Sequence, residues 1–321
     1  MKKSLIALAV AGLVSAPAFA ATSNVDVYGV MHFALEDTDA TGIDMDVKTN
    51  ASRIGFKGSE DLGGGMKAVW QIEQQFDATS ADMTAFGGQG LRNTFIGLAG
   101  GFGTFVMGRH DTPYKLTTTK YNVFADTIAD YAATRLDGVA LITGHARTSN
   151  TIAYISPSFS GLTIAAALVP STDHLDAGDG NDAISIGVMY ANGPLTVDLG
   201  WEDIKSSNPN AGRKAVKLAG GYSFGDTKVG LVYEDVNTSG TGQDRDSWYL
   251  SAVHNMGPIA LKAQFGQADA ATDMQAWALG VDYNLSKRTA AFIVYGNGDD
   301  DLNSSNAGDV SGWNIGMRHS F

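Results

Sequence analysis

Val25-Asp26-Val27-Tyr28-Gly29-Val30-Met31-His32-Phe33-Ala34-Leu35-Glu36 is the stretch whose reading decides the fold. In an extended chain, successive side chains point to opposite sides. Val25, Val27, Gly29, Met31, Phe33 and Leu35 therefore share one face, and Asp26, Tyr28, His32 and Glu36 share the other. A period of two is a strand signal, and the pattern recurs along the chain. Ala68, Trp70 and Ile72 oppose Lys67, Gln71 and Glu73. Leu195, Val197, Leu199 and Trp201 oppose Thr196, Asp198 and Glu202. Val216, Leu218, Gly220, Tyr222 and Phe224 oppose Lys217, Ala219 and Ser223. Ile259, Leu261, Ala263 and Phe265 oppose Ala260, Lys262 and Gln264. Trp277, Leu279, Val281, Tyr283 and Leu285 oppose Ala276, Asp282 and Asn284.

The connections add the topology. Seven are tight and rich in Gly, Pro, Asn or Ser: Asp61–Gly65, Gly100–Gly103, Pro157–Gly161, Asn192–Pro194, Gly225–Thr227, Asn255–Pro258 and Asn284–Lys287. This is turn chemistry. Between them lie eight mostly longer, Asp-rich connections, at about 37–48, 78–90, 112–146, 170–182, 204–212, 237–245, 269–273 and 297–310. Fifteen connections join sixteen strands. Short turns at one end and long loops at the other, in one antiparallel meander, are the layout of a barrel that crosses a membrane with strands.

Composition narrows the class. The 321 residues carry 22 Lys+Arg against 34 Asp+Glu, a net charge of −12, with 0 Cys. An acidic chain is a poor partner for nucleic acid, whose phosphates need clustered Lys and Arg. Without Cys there is no disulfide framework, thiolate catalysis or Cys-ligated metal. A mean hydropathy of −0.05 leaves no room for a bundle of membrane helices, each needing about 20 apolar residues.

The first twenty residues read as an export signal. Met1-Lys2-Lys3 is a positive start, Leu5 to Val14 an apolar run, and Ala18-Phe19-Ala20 a small-residue cleavage pattern. Cleavage after Ala20 leaves residues 21–321 as one barrel domain. The run is too short for a spanning anchor, the competing reading.

In lipid, every backbone N–H and C=O must be paired within the protein, so a sheet must close on itself. The apolar face then meets hydrocarbon and the polar face lines a lumen. A soluble β-sandwich would bury the apolar face instead, and alternation alone does not separate the two. The uniform pattern over many strands, the alternating loop lengths and the aromatics near strand ends, such as Phe56, Trp70, Tyr222, Phe224 and Tyr283, favour the barrel.

The terminal strand carries Trp313, Ile315, Met317, His319 and Phe321 on one face and stops at that aromatic. Such an ending is similar to the insertion signal of outer-membrane barrels. Asn50-Ala51-Ser52-Arg53-Ile54-Gly55-Phe56-Lys57-Gly58-Ser59-Glu60-Asp61-Leu62-Gly63-Gly64-Gly65-Met66-Lys67-Ala68 resembles the second and third strands of Gram-negative general (diffusion) porins of the beta-proteobacterial type. Phe95-Ile96-Gly97-Leu98, Met107-Gly108-Arg109 and Asn150-Thr151-Ile152-Ala153-Tyr154-Ile155-Ser156-Pro157 extend the likeness. The resemblance implies an all-β fold: a transmembrane, 16-stranded antiparallel β-barrel with an inward-folded third loop. It also implies a homotrimer in the outer membrane, among lipid and lipopolysaccharide, passing small hydrophilic solutes without catalysis or an organic cofactor.

Residues 112–146 are the longest connection, and in the porin family this loop narrows the pore. Charge rings set selectivity in such channels. The candidate basic wall is Arg53, Lys57, Arg92, Arg109 and Arg147. Arg53 and Lys57 flank outward Ile54 and Phe56, so they point inward; Arg53 and Arg92 also match the family's eyelet arginines. The candidate acidic side is Asp126, Asp130 and Asp137 on the loop with Glu36 and Glu73 on the wall, and Arg135 is a further loop candidate. The enteric Pro-Glu-Phe-Gly loop motif is absent. Each charge also has a plainer reading as a solvated lumen or loop group. Asp176, Asp179 and Asp182 could offer oxygen ligands to Ca²⁺, but the distal Glu of an EF-hand is missing and a solvated loop is the plainer reading.

Other functions find little support. The six His form no HExxH pair, and the chain has no Gly-x-Ser-x-Gly elbow or phosphate loop. His110-Asp111 with His145 is the only material for a rim hydrolase. A substrate-selective channel for sugar, phosphate or dicarboxylate is the nearer rival, and a non-channel adhesin or structural barrel the more distant one. No continuous lumenal aromatic track of the kind a sugar channel uses runs along the strands.

Overall fold

The computed structural model describes residues 24–39, 45–79, 90–132, 136, 140–144, 146–170, 183–205, 212–238, 244–269, 273–300 and 310–321. The leader reading and those for Arg135, Asp137, His145, Asp176, Asp179 and Asp182 lie outside these residues.

The strands are β1 (Asn24–Thr38), β2 (Asp46–Thr49), β3 (Arg53–Gly63), β4 (Met66–Gln75), β5 (Thr94–Gly100), β6 (Gly103–Asp111), β7 (Arg147–Ile155), β8 (Leu162–Val169), β9 (Ala183–Asn192), β10 (Leu195–Ile204), β11 (Arg213–Phe224), β12 (Thr227–Thr238), β13 (Arg245–Met256), β14 (Ile259–Asp269), β15 (Asp273–Asn284), β16 (Thr289–Asp300) and β17 (Val310–Ser320). Each pairs antiparallel with its neighbour, and β17 returns to β1 over Val30↔Ser320 to Thr38↔Gly312. Reciprocal bonds of 3.1 Å between Gly29 and Phe321 finish the seam. Strands β2 and β3 both pair with β1, so they are two halves of one stave and the closed barrel has sixteen.

The break between those halves is a β-bulge. Phe33 faces Thr49 before it and Val30 faces Arg53 after it, which leaves one extra residue on the β2–β3 side. Ala51 takes it up at φ 51, a left-handed value unusual for a residue with a Cβ. The Ser52 hydroxyl fixes the bend, donating to the His32 carbonyl and accepting from the His32 amide. A bulge turns the following side chains to the other face. Lys48 sits beside inward Ala34, and after the extra residue it is odd-numbered Arg53 that points inward.

The seven tight turns close β3, β5, β7, β9, β11, β13 and β15, where turn chemistry places them. Gly225 and Gly257 adopt φ +60 there, a conformation that favours glycine. The two faces separate cleanly: Leu218 is 53% exposed and Leu279 56%, while Ala219 is 2% and Ala278 0% exposed. No helix among the described residues is long and apolar enough to cross a membrane.

Described residues of the connection between β6 and β7 pack against part of the inward face. The connection opens with the single-turn helix α1 (Pro113–Leu116), capped by the Thr112 side chain, and a 3-10 turn at Thr119–Tyr121. Phe124, Ile128, Ala129 and Leu136 then pack with Ala34, Ala278, Phe292 and Val294. Tyr121, Tyr131, Leu141 and Ile142 pack with Ala219, Val232, Tyr249 and Ala276. Inward glycines make room for these side chains. A Cβ on Gly230 would lie 2.6 Å from Tyr121, and one on Gly280 would lie 2.5 Å from Phe124.

Buried charge pins both ends of the connection to one wall carboxylate. Glu234 of β12 accepts from the Tyr114 hydroxyl at 2.8 Å and from the Thr143 amide and hydroxyl at 2.7 and 3.0 Å. Its register partner Lys217 of β11 lies 3.5 Å away and donates to the Thr143 carbonyl at 2.8 Å; both side chains are fully buried. The Lys217 ammonium also stands 4.0 Å over the Tyr114 ring. Arg213 pairs with Glu202 beside them. Further along, Tyr121 and Lys120 donate to Asp198 at 2.5 and 2.8 Å, and Gln264 donates to the Ala129 carbonyl at 2.7 Å.

Two outcomes follow from this architecture. Leu279→Arg, near the middle of a lipid-facing strand, should lower unfolding free energy by about 2–4 kcal/mol in urea titrations from lipid vesicles. Glu234→Ala should cost about 3–5 kcal/mol, since it leaves Lys217 buried without its counter-charge. The double variant Lys217→Met/Glu234→Leu should cost less than the sum of the singles. A strictly additive double variant would mean the ends are held by packing alone.

Candidate functional site

The lumen wall near the connection holds most of the described candidate charges, in three groups. Arg53, aimed inward by the bulge, lies 3.6 Å from Asp126 on the connection. Its guanidinium also donates to the Ala51 carbonyl at 2.9 Å. Asp126 stands at φ 62, and its amide donates to Asp130 at 2.9 Å. Both members of the pair stay partly in solvent, with 23% and 35% of their side chains exposed, so their field reaches the water.

Glu73 sits one strand away and is already engaged. It accepts from the Tyr28 hydroxyl at 2.9 Å and from Arg92 at 2.5 Å, and Arg92 reaches on to Gln75 at 2.9 Å. The sequence reading set Arg92 and Glu73 on opposing sides of a field. The structure joins them on one wall, because Arg92 returns next to β4, its amide donating to the Glu73 carbonyl at 2.8 Å. Their charges largely cancel at a distance.

Arg147 enters the third group, 3.0 Å from Asp111 and 2.8 Å from the Asn93 side chain. Lys115 lies 2.7 Å from the other side of Asp111. This group ties the root of the connection to β6 and β7. Burial draws the Lys115 ammonium below its usual range, against the pull of Asp111.

Asp130 faces into the connection. It accepts from Asn122 at 2.8 Å and from the amides of Asp126 and Ala132 at 2.9 Å each, and burial pushes its carboxyl upward. It shapes the turn that presents Asp126. Glu36 is buried on the β1 wall, where Asn50 donates to it at 2.5 Å. Lys57 lies nearer the short turns, its ammonium 5.3 Å from the Tyr28 ring centre. Arg109 is not brought to any of these groups. It shares the outward face with Met107, which is 49% exposed, and donates to the Leu91 carbonyl and Ser149. Phe321 lies on the outward face, its ring against Gly29. Among the described residues, no group of three or more His, Cys, Asp or Glu is placed to hold a metal ion.

The sequence reading placed Lys217, Asp198 and Glu202 on polar faces but missed what they hold. One signal was available. Counting back from the Gly225–Thr227 turn sets Lys217 directly opposite Glu234, an opposite-charge pair on an inward face.

A closed, sixteen-stave barrel with an apolar exterior and a charged interior is wide enough for an aqueous channel. Comparison with known proteins agrees. The sequence pattern of the family described as Gram-negative porin matches residues 7–319. The major outer membrane protein P.IB of Neisseria meningitidis serogroup B is 29% identical over 355 positions, spanning 100% of both chains. P.IB of Neisseria gonorrhoeae is 33% identical over 208 residues, covering 60% of this chain and 54% of that protein. In fold, the chain is similar to an anion-selective porin from Comamonas acidovorans, with TM-score 0.75, 24% identity and coverage of 93% and 100%. It is also similar to OmpT of Vibrio cholerae in its trimer form, with TM-score 0.69, 18% identity and coverage of 93% and 99%. The chain belongs to the Gram-negative porin family and is an outer-membrane β-barrel forming a water-filled channel for passive diffusion.

Proposed function

We propose that residues 112–146 are the constriction of this channel and that Arg53 facing Asp126 is the charge pair that sorts ions there. The observation that carries the reading is the 3.6 Å contact between wall and connection with both groups still partly wet. Arg92 and Arg147 support the lining rather than set its sign, since each is held by a carboxylate within 3.0 Å. The channel is a general one for small hydrophilic solutes, with no catalytic step. Three copies assemble in the membrane, a reading supported by the trimeric form of the OmpT relative. The apolar exterior contacts outer-membrane lipid and lipopolysaccharide, and Phe321 serves as the insertion signal.

Planar-bilayer recording tests this. The wild type should insert in steps with ohmic conductance that changes little among small solutes. Sustained block of conductance by one solute at micromolar concentration would point to a selective channel, whereas brief interruptions at millimolar concentration leave the general reading intact. Arg53→Glu should move the reversal potential in a KCl gradient toward cation preference, changing the permeability ratio by about two- to fivefold, the worth of a partly solvated charge. The shift should shrink in 1 M salt, where the screening length falls to about 3 Å. An unchanged reversal potential at low salt removes Arg53 from the selectivity site.

A further inference from the structure

We propose that the lumen carries, on the turn side of the Arg53–Asp126 pair, a recess that binds small zwitterions with an apolar body, the chemistry of an apolar α-amino acid. The recess measures about 440 Å³ and is lined by Asp26, Lys57, Gln71, Phe95, Val69 and Val106, among others. All six lie on the inward face. Asp26 faces Lys57, Lys57 faces Gln71, and Gln71 faces Phe95 in register, so the four form one row across β1, β3, β4 and β5. Val69 and Val106 form the adjacent row on either side of Gly97. Gly97 keeps that floor flat, since a Cβ there would lie 2.2 Å from the Phe105 carbonyl.

The row ends in two opposite charges that are not spent on each other. Directly opposed residues of antiparallel strands sit about 4.5–5.5 Å apart at Cα. Even so, the Lys57 ammonium rests over the Tyr28 ring, 5.3 Å from its centre, rather than on Asp26. A carboxylate can meet Lys57 while an ammonium meets Asp26, and an apolar body can then lie on the half-buried Phe95 and Val69, with Val106 packed behind Phe95. A plain anion would be repelled by Asp26 and a plain cation by Lys57. A zwitterion without an apolar body would leave the floor uncovered. Among simple solutes, one bearing both charges and a hydrocarbon group meets the Asp26–Lys57 pair and the apolar floor together. The assignment does not depend on which residues form the constriction.

Single-channel recording in KCl with four probes tests it: L-phenylalanine, 3-phenylpropionate, which lacks the ammonium, phenethylamine, which lacks the carboxylate, and glycine, which lacks the ring. L-Phenylalanine should give the longest current interruptions. Lys57→Gln and Asp26→Asn should each shorten them by about threefold, the worth of one solvent-accessible ion pair. Lys57→Gln should also erase the preference over phenethylamine, and Asp26→Asn the preference over 3-phenylpropionate. Val69→Thr, a near-isosteric change at the half-buried floor, should shorten the interruptions without altering the order of the charged probes. Equal interruptions from L-phenylalanine and glycine, or a longest dwell for 3-phenylpropionate, would overturn the proposal. So would an L-phenylalanine dwell that survives both charge substitutions.

Discussion

The pairing of every backbone N–H and C=O within the sheet is the constraint on which the rest depends. Hydrocarbon offers no partner for an open strand edge, and each unsatisfied group there costs several kcal/mol. The chain meets this by bringing its last strand back to its first, so that Phe321 and Gly29 exchange bonds across the seam. Closure makes the inside and outside chemically distinct and leaves an alternating sequence nothing to do but sort its side chains between oil and water.

Closure also creates a large polar interior, and described residues of the connection between β6 and β7 pack against part of its wall. The fit of the connection rests on two unlike devices. Aromatic and leucine side chains press onto inward glycines, which supplies close contact, while Glu234 gathers Tyr114 from one end and Thr143 from the other. Packing alone specifies a position loosely, and a fully satisfied buried network specifies it tightly. The charges outside that network, Arg53 and Asp126 above all, stay in contact with water.

The strands, the seven turns and the faces of most strand side chains were legible because they rest on local chemistry: period-two alternation and residues that tolerate tight turns. The loop between β6 and β7 announced itself by length. Less legible were contacts made across the barrel. Tyr114 and Glu234 are 120 residues apart, and no local pattern ties a tyrosine to that carboxylate. Arg92 and Glu73 were set on opposite sides because their strand neighbourhood depends on how the chain returns to β4. Arg109 was placed in the lumen by charge alone, whereas the parity it shares with Met107 places it outside. The Ala51 bulge was hidden too, since alanine carries no signal for a left-handed backbone, although the inward aim of Arg53 could be read from Ile54 and Phe56.

That bulge has an evolutionary corollary. Because one surplus residue between Asn50 and Ser52 decides whether the guanidinium at 53 faces water or hydrocarbon, this short stretch tolerates changes of letter far better than changes of length. Substitution there can retune the pore by degrees, while a single-codon deletion would turn Arg53, Lys57 and the whole downstream half-stave inside out.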